Sequence, residues 1–229
     1  VVDDGSTDAT PALLDQMRRQ PAGRERLRVI RVNALPAGWA GKPHALHTGV
    51  RAATGEWLLF TDADTFHEPG ALRAAVIRAE HDGADLFSVG SRQEAPDFWN
   101  RVLMPIAYMG ISFMYPPLLV NNPRSKVAIA NGQYLLIRRS LYQRLGGNDT
   151  PELRGTVVDD LALAQVVKRS GARLLLVDGR DLVATHMYHS LREHWDGWGK
   201  NAAIGARGGA LGIAIMTPGL PMITVGPFV

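Results

Sequence analysis

Residues 53–64 read Ala-Thr-Gly-Glu-Trp-Leu-Leu-Phe-Thr-Asp-Ala-Asp, and the fold is decided there. Four large apolar side chains in a row, Trp57 to Phe60, stand between Gly55 and a polar run that begins at Thr61. So short a run suits a strand rather than a helix, and it predicts a fully buried strand over 56–61. Upstream, 43–54 reads as a helix, and 27–32 as a β-branched strand with Arg at alternate places. Further upstream, 10–19 has helical spacing, with Pro11 suited to a first turn. Downstream, Leu72, Ala75, Val76 and Ala79 lie at helical spacing within 70–81, and 85–90 reads as another strand. Strands alternating with helices of this length predict an α/β domain with a mostly parallel central sheet and flanking helices.

In such sheets ligands bind on the loops at the carboxyl ends of the strands. Three polar clusters are expected there, on one edge of one sheet. They are Asp3-Asp4-Gly5-Ser6-Thr7-Asp8, Asn33 with the Gly41-Lys42-Pro43-His44 turn, and Asp62-Ala63-Asp64. Two carboxylates one residue apart at the mouth of a strand can hold a hard divalent cation, with substrate phosphates and waters completing its shell. Without a cation or hydrogen bonds the pair repels itself. An Asp-x-Asp on a loop is also ordinary turn chemistry, and Lys42 is equally a solvated surface lysine.

The 229 residues are 46% hydrophobic and 21% charged, which excludes disorder and suits one large domain. Zero cysteines exclude a disulfide scaffold and thiolate metal sites, and agree with a reducing compartment. A formal charge of +3 is not the footprint of a nucleic-acid binder. Val1-Val2-Asp3-Asp4 reads as the end of a buried strand without an initiator Met, so the chain is expected to be clipped at its start. From Gly208 to Val229 run 22 residues without a charge, long enough to cross a bilayer core as a helix, although five Gly and three Pro weaken that reading. Lys200 and Arg207 precede it, as on a cytoplasmic flank. We expect the start of a membrane region over 202–229, with a buried soluble segment as the other reading. A second uncharged stretch, 102–120, is broken by Pro105, Pro116 and Pro117, and fits either an interfacial helix or plain core.

Five motifs in order resemble glycosyltransferase family 2. They are Val-Val-Asp-Asp-Gly-Ser-Thr-Asp (1–8), Gly-Lys-x-x-Ala-Leu-x-x-Gly (41–49), Ala-x-Gly-Glu-Trp-Leu-Leu-Phe-Thr-Asp-Ala-Asp (53–64), Asn-Gly-Gln-Tyr-Leu (131–135) and Thr-Val-Val-Asp-Asp-Leu-Ala-Leu (156–163). The resemblance implies a Rossmann-like GT-A domain over 1–201, lacking its first strand, that moves a sugar from a nucleotide-diphosphate donor to an acceptor. It implies that Asp3, Asp4, Lys42, Asp62 and Asp64 bind the nucleotide-sugar, with Asp62 and Asp64 on Mg²⁺ or Mn²⁺. Asp160 aligns with the family's catalytic base, and Asp159, Gly132, Gln133, Arg192, Trp195 and Trp198 with its acceptor and diphosphate side.

The chemistry fits these residue types. A leaving diphosphate needs its charge stabilised, and an acceptor hydroxyl needs a carboxylate to take its proton. In extended geometry neighbours such as Asp159 and Asp160 point apart, so only one is expected to face the acceptor. Both also suit the cap of a helix near Leu161, which is compatible with catalysis. Met-Tyr (187–188) and Trp-x-x-Trp-x-Lys-Asn (195–201) are similar to membrane glycosyltransferases of hopanoid or carotenoid biosynthesis, and the Gln-x-x-Arg-Trp of processive members is missing. A lipid acceptor at the cell membrane, with the catalytic domain cytoplasmic, is therefore expected. The same aromatics also fit an interfacial belt. Alternatives are a polyisoprenyl-phosphate glycosyltransferase or a polysaccharide synthase. From other classes come a nucleotidyltransferase, whose Gly- and Arg/Lys-rich phosphate loop is not visible, and a non-catalytic sugar-nucleotide-binding protein. His186, His189 and His194 lack zinc-site spacing and stay unassigned.

Overall fold

The structure is a computed structural model and describes residues 1–94 and 98–185. The chain divides into two units, Val1–Gln93 with Ala107–Thr185, and Glu94–Ile106 with His186–Val229. The expected membrane region over 202–229, and Arg192, Trp195 and Trp198, lie outside the described residues.

The chain opens with β1 (Val2–Asp3), α1 (Thr10–Arg19), α2 (Pro21–Arg26) and β2 (Ile30–Arg31). Helix α1 has the expected bounds, with Pro11 in its first turn, Arg18 and Arg19 in its last, and Leu14 buried. The strand expected over 27–32 is cut to two residues, because its first part serves other ends. The Leu27 amide donates to the Gly23 carbonyl and closes α2, a helix the sequence pattern did not reveal.

Next come α3 (Gly41–Ala52), β3 (Trp57–Phe60), β4 (Thr65–His67), α4 (Ala71–His81), β5 (Leu86–Gly90) and β6 (Arg92–Gln93). Of these, α3, β3, α4 and β5 fall within two residues of expectation, while the short strands β4 and β6 were not expected. Gly70 precedes α4 at φ 88°, a left-handed conformation that glycine adopts without strain. Then follow α5 (Phe98–Met114), α6 (Pro117–Asn121), β7 (Leu135–Arg138), α7 (Arg139–Arg144), a 3-10 turn (Gly147–Asp149), α8 (Pro151–Arg154), α9 (Asp159–Arg169), β8 (Leu174–Asp178) and β9 (Val183–Thr185). The stretch 102–120 is thus two helices, and α5 runs on through Pro105. Among the described residues no helix is long and apolar enough to cross a membrane.

The main sheet has strand order β3-β7-β5-β8. It corrects the expected mostly parallel sheet: β7 runs antiparallel to both β3 and β5, and only β5 and β8 are parallel. Direction is set by the connections. The chain enters β7 after the 98–134 excursion, and an apolar run such as Leu-Leu-Ile carries no mark of which way it will pair. Nor is β3 fully buried; Leu58 is buried while Trp57, Leu59 and Phe60 are half-buried. Strands β1 and β2 form a separate parallel pair, and β4-β9-β6 a third small sheet, so the three polar clusters do not share one sheet edge.

Two apolar clusters hold the first unit together. One joins Leu58, Leu135 and Ile137 of the main sheet to Leu163, Ala164 and Val167 of α9. The other packs Ala75 and Ala79 of α4 against Phe87, Leu136 and Leu175. β7 feeds both because its alternate side chains point to opposite faces. Helix α9 is thereby anchored on one face of the sheet, with its N-terminus at the strand ends.

Candidate functional site

Lys42, in the first turn of α3, joins two distant acids. Its Nζ donates to Asp62 Oδ1 at 2.7 Å and lies 3.6 Å from Asp159 Oδ1. Burial pulls the ammonium pKa down, but Asp159 and Asp62 outweigh it, so Lys42 is raised and firmly charged. The approach to α3 is tied to the approach to α9. The Ala40 amide donates to the Arg154 carbonyl at 2.7 Å, and the Arg154 guanidinium lies 5.4 Å from the Trp39 ring centroid. Trp39 also meets the rings of His44 and His47.

Asp159 and Asp160 open α9. They correct the expectation that adjacent acids diverge: in a helical first turn neighbours are about 100° apart, not opposite. Both come to the same place. Asp160 Oδ2 accepts the Gly132 amide at 2.9 Å, and its Oδ1 accepts the Leu161 amide at 2.8 Å. Burial pushes the Asp160 carboxyl up, and those two amides oppose it. Asp159 is buried, and desolvation pushes its carboxyl up to about 6 against the pull of Lys42. A Cβ on Gly132 would stand 3.0 Å from Asp160 Oδ2 and 3.3 Å from Lys42 Nζ, so any side chain at 132 would press the two charged groups aside by a few tenths of an ångström.

The loop carrying Gly132 is held from behind. Asn131 Nδ2 donates to the Val89 carbonyl at 2.9 Å, and the Asn131 amide donates to Ser88 Oγ at 2.7 Å. Gln133 is buried in this network, its Oε1 accepting from Ser91 Oγ and, at 3.3 Å, from Gln93 Nε2. Its side chain is therefore not among the groups gathered at Lys42. The sequence reading placed Asn131 in a motif without giving it a role and did not single out Ser88; both hold this loop in place.

The Asp62-Ala63-Asp64 turn links β3 to β4 and is pinned through its backbone. Thr65 Oγ1 donates to the Asp62 carbonyl at 2.7 Å, and the fully buried Thr185 donates through Oγ1 to the Asp64 carbonyl at 3.2 Å. The Thr185 role also escaped the sequence, because β9 pairs with β4 across more than a hundred residues. The Asp64 side chain is exposed, yet desolvation and then the charge of Asp62 push its carboxyl up. Among the described residues no group of three or more His, Asp or Glu is placed to hold a metal ion. Asp62 and Asp64 offer two hard oxygen donors and leave the rest of a coordination shell to other ligands.

Asp3 and Asp4 part company. Asp3 is buried beside a cavity of about 220 Å³ lined by Ser6, Pro11, Arg31, Val32 and Asn33. Its Oδ1 accepts the Ser6 amide at 3.0 Å, and hydrogen bonding from Ser6 holds the carboxyl below its ordinary range. Asp4 is exposed and lies against the start of α3, where a Cβ on Gly41 would come within 2.8 Å of its Oδ2.

Comparison with known proteins gives this geometry a context. In sequence, the chain is 38% identical over 86 residues to the succinoglycan biosynthesis protein ExoO of Rhizobium meliloti, covering 38% of this chain and 22% of that protein. It is 36% identical over 103 residues to the β-monoglucosyldiacylglycerol synthase of Synechocystis, covering 44% and 20% respectively. The matches thus span about a fifth of the length of these curated relatives. In structure, it is similar to the mannosyltransferase PcManGT of Pyrobaculum calidifontis, with a TM-score of 0.59 at 23% identity, over 85% of this chain and 49% of that one. That likeness supports a GT-A fold with mixed sheets. The sequence profile described as Glycosyl transferase family 2 matches residues 1–146, nearly two thirds of the chain and four of the five motifs. This chain belongs to glycosyl transferase family 2.

Proposed function

We propose that this protein transfers a sugar from a nucleoside-diphosphate donor to a hydroxyl of a lipid acceptor at the cytoplasmic face of the cell membrane, with Asp160 as general base. One observation carries the reading. Lys42 ties the Asp62–Asp64 turn to the acid pair at the start of α9, so a diphosphate-binding end and a proton-accepting end share one small space.

The donor side follows from the charges. The cavity beside Asp3 has the size and polarity for the base and ribose of a nucleotide, and Lys42 supplies fixed positive charge where phosphates collect. Asp62 and Asp64 fit a divalent cation, since the turn offers two carboxylates one residue apart as hard oxygen donors and leaves room for phosphate and water. Bound there, Mg²⁺ or Mn²⁺ stabilises the negative charge that develops on the leaving diphosphate. The mannosyltransferase of similar fold was solved with GDP-Man and Mn²⁺.

On the acceptor side, the hydroxyl oxygen attacks the anomeric carbon of the sugar. Its proton passes to Asp160, the bond from that carbon to the phosphate oxygen breaks, and the nucleoside diphosphate leaves. Asp160 is the better placed of the pair, since two backbone amides fix its carboxylate while Asp159 is buried against Lys42. Asp159 keeps the ammonium in place. Arg192, Trp195 and Trp198 are assigned by sequence alone to the acceptor and diphosphate side.

Two names favour different acceptors. The β-monoglucosyldiacylglycerol synthase relative favours a lipid, and the succinoglycan biosynthesis relative favours a growing polysaccharide. Incubating the full chain with radiolabelled UDP- and GDP-sugars and membrane lipid separates them. Label extracted into organic solvent as a single-sugar product is expected. Label that stays in water-soluble polymer overturns the lipid acceptor, and label left on every donor overturns the transferase reading itself.

A further inference from the structure

The described part of the first unit carries one apolar face that no core uses. Met109, Phe113 and Met114 on α5 and Leu118 and Leu119 on α6 are all exposed, Phe113 at 83% and Leu118 at 87% of full accessibility. Met109 and Phe113 are one helical turn apart and so share a side of α5. Scattered exposed leucines need no explanation, but five large apolar side chains within eleven residues form a patch.

The patch is held rigidly. Val120 is fully buried in the main core, and Tyr115 packs against it. Asn121 is clamped to β8, its Nδ2 donating to the Leu176 carbonyl at 2.9 Å and its Oδ1 accepting the Leu176 amide at 2.7 Å. Lys168 of α9 donates to the carbonyls of Val120 and Asn122, closing the end of α6. With the inward side of α6 fixed so firmly, Leu118 and Leu119 are presented outward rather than left loose.

Charge indicates what covers the face. From Phe98 to Asn148 there is no Asp or Glu, while Arg101, Arg124, Lys126, Arg138, Arg139 and Arg144 all fall within it. Arg124 and Lys126 follow α6 directly, are exposed, and form no ion pair among the described residues. Large apolar side chains followed closely by unpaired basic ones, in a run of chain that carries no acid, are the pattern of a surface that lies on anionic lipid. A protein partner would ordinarily be met by charges of both signs.

We infer that the α5–α6 face docks on an anionic membrane surface, with Phe113 and Leu118 entering the headgroup boundary and Arg124 and Lys126 meeting lipid phosphates. The docking is separate from whatever residues 202–229 do, and it does not depend on which acceptor is used. It holds the catalytic unit at the lipid in one orientation.

The absence of native cysteine makes the test clean. Phe113→Cys and Leu118→Cys, with Leu13→Cys and Ile77→Cys as exposed controls on other helices, are each labelled with a fluorophore in the full chain. They are reconstituted with phosphatidylcholine vesicles, with and without phosphatidylglycerol, that carry a nitroxide lipid quencher. Quenching at 113 and 118, with none at 13 or 77, is expected on the anionic vesicles. Arg124→Glu with Lys126→Glu is expected to weaken that quenching about tenfold in effective affinity, while leaving the neutral-vesicle signal unchanged. Equal quenching at all four positions, or none at 113 and 118, overturns the inference. So does shielding of 113 and 118 from aqueous iodide before lipid is added, which light scattering then assigns to a second copy or to this chain itself. Donor turnover by the unlabelled parent, measured in detergent, tests the transferase reading independently.

Discussion

Two of the acid pairs, Asp62 with Asp64 and Asp159 with Asp160, are built in opposite ways. Asp62 and Asp64 sit on a turn whose backbone is pinned by Thr65 and Thr185, and the exposed Asp64 carboxylate is left to find a ligand. Asp159 and Asp160 sit at a helix start whose side chains are themselves bound, one buried beside Lys42 and the other held by two amides. A pinned backbone that leaves the Asp64 carboxylate open, with Asp62 held by Lys42, suits a site completed by an incoming ion and phosphate. Pinned carboxylates suit a site that must hold one geometry before substrate arrives. The difference separates binding from proton transfer along a path that Lys42 bridges.

The largest effect is expected at the open pair. Asp64→Ala should abolish turnover while circular dichroism shows the fold retained, with only a small drop in melting temperature as the Thr185 contact to the carboxyl is lost. Nucleotide affinity, followed by calorimetry, should lose its dependence on Mn²⁺. A folded Asp64→Ala protein that is fully active in excess EDTA breaks the comparison at once.

At the closed pair the loss of rate should be smaller, with some loss of stability beside it, because an Asn side chain cannot accept from both the Gly132 and the Leu161 amides. Asp160→Asn keeps the shape and removes the basic lone pairs, so single-turnover transfer should fall about 10²–10⁴-fold with donor affinity little changed. Asp159→Asn should be milder. Should Asp159→Asn prove the dead variant and Asp160→Asn transfer at nearly the parent rate, the two roles must be exchanged.

Gly132→Ala sharpens the same contrast. Its Cβ presses on both Asp160 and Lys42, which must give by a few tenths of an ångström. Misplacing a positioned base by that much should slow transfer roughly tenfold. Metal dependence of nucleotide binding should be untouched, and a change there would mean the pairs are less separate than their construction implies.

The smallest effect concerns stability and pH. Asp159 has a folded pKa of about 6 against an ordinary 3.8, raised chiefly by burial. Between those values the folded chain holds a proton that the unfolded chain has lost, so stability falls as pH rises through that window. Asp159→Asn cannot ionise and escapes the loss. It should melt several degrees above the parent at neutral pH and level with it near pH 4, as differential scanning calorimetry reads. A lower melting temperature at neutral pH would show that pairing with Lys42 outweighs desolvation.

Most local elements and the identity of the chemical groups were legible along the chain. Pro11 and the spacing of Leu14 fixed α1, the apolar block at Trp57 fixed β3, and Asp3, Lys42, Asp62 and Asp160 stood out because their motifs are short and contiguous. Such signals rest on neighbours along the chain, which is the range over which propensity and periodicity act. The direction of β7, the place of β1 and β2 in a sheet of their own, and the meeting of Asp62 with Asp159 at Lys42 belong to the tertiary structure alone. An apolar strand pairs equally well either way until its connections choose, and an ion pair across about a hundred residues exists only after the core has closed around α9. Thr185 shows the same limit, since nothing local marks a threonine that holds a turn from the far end of the chain.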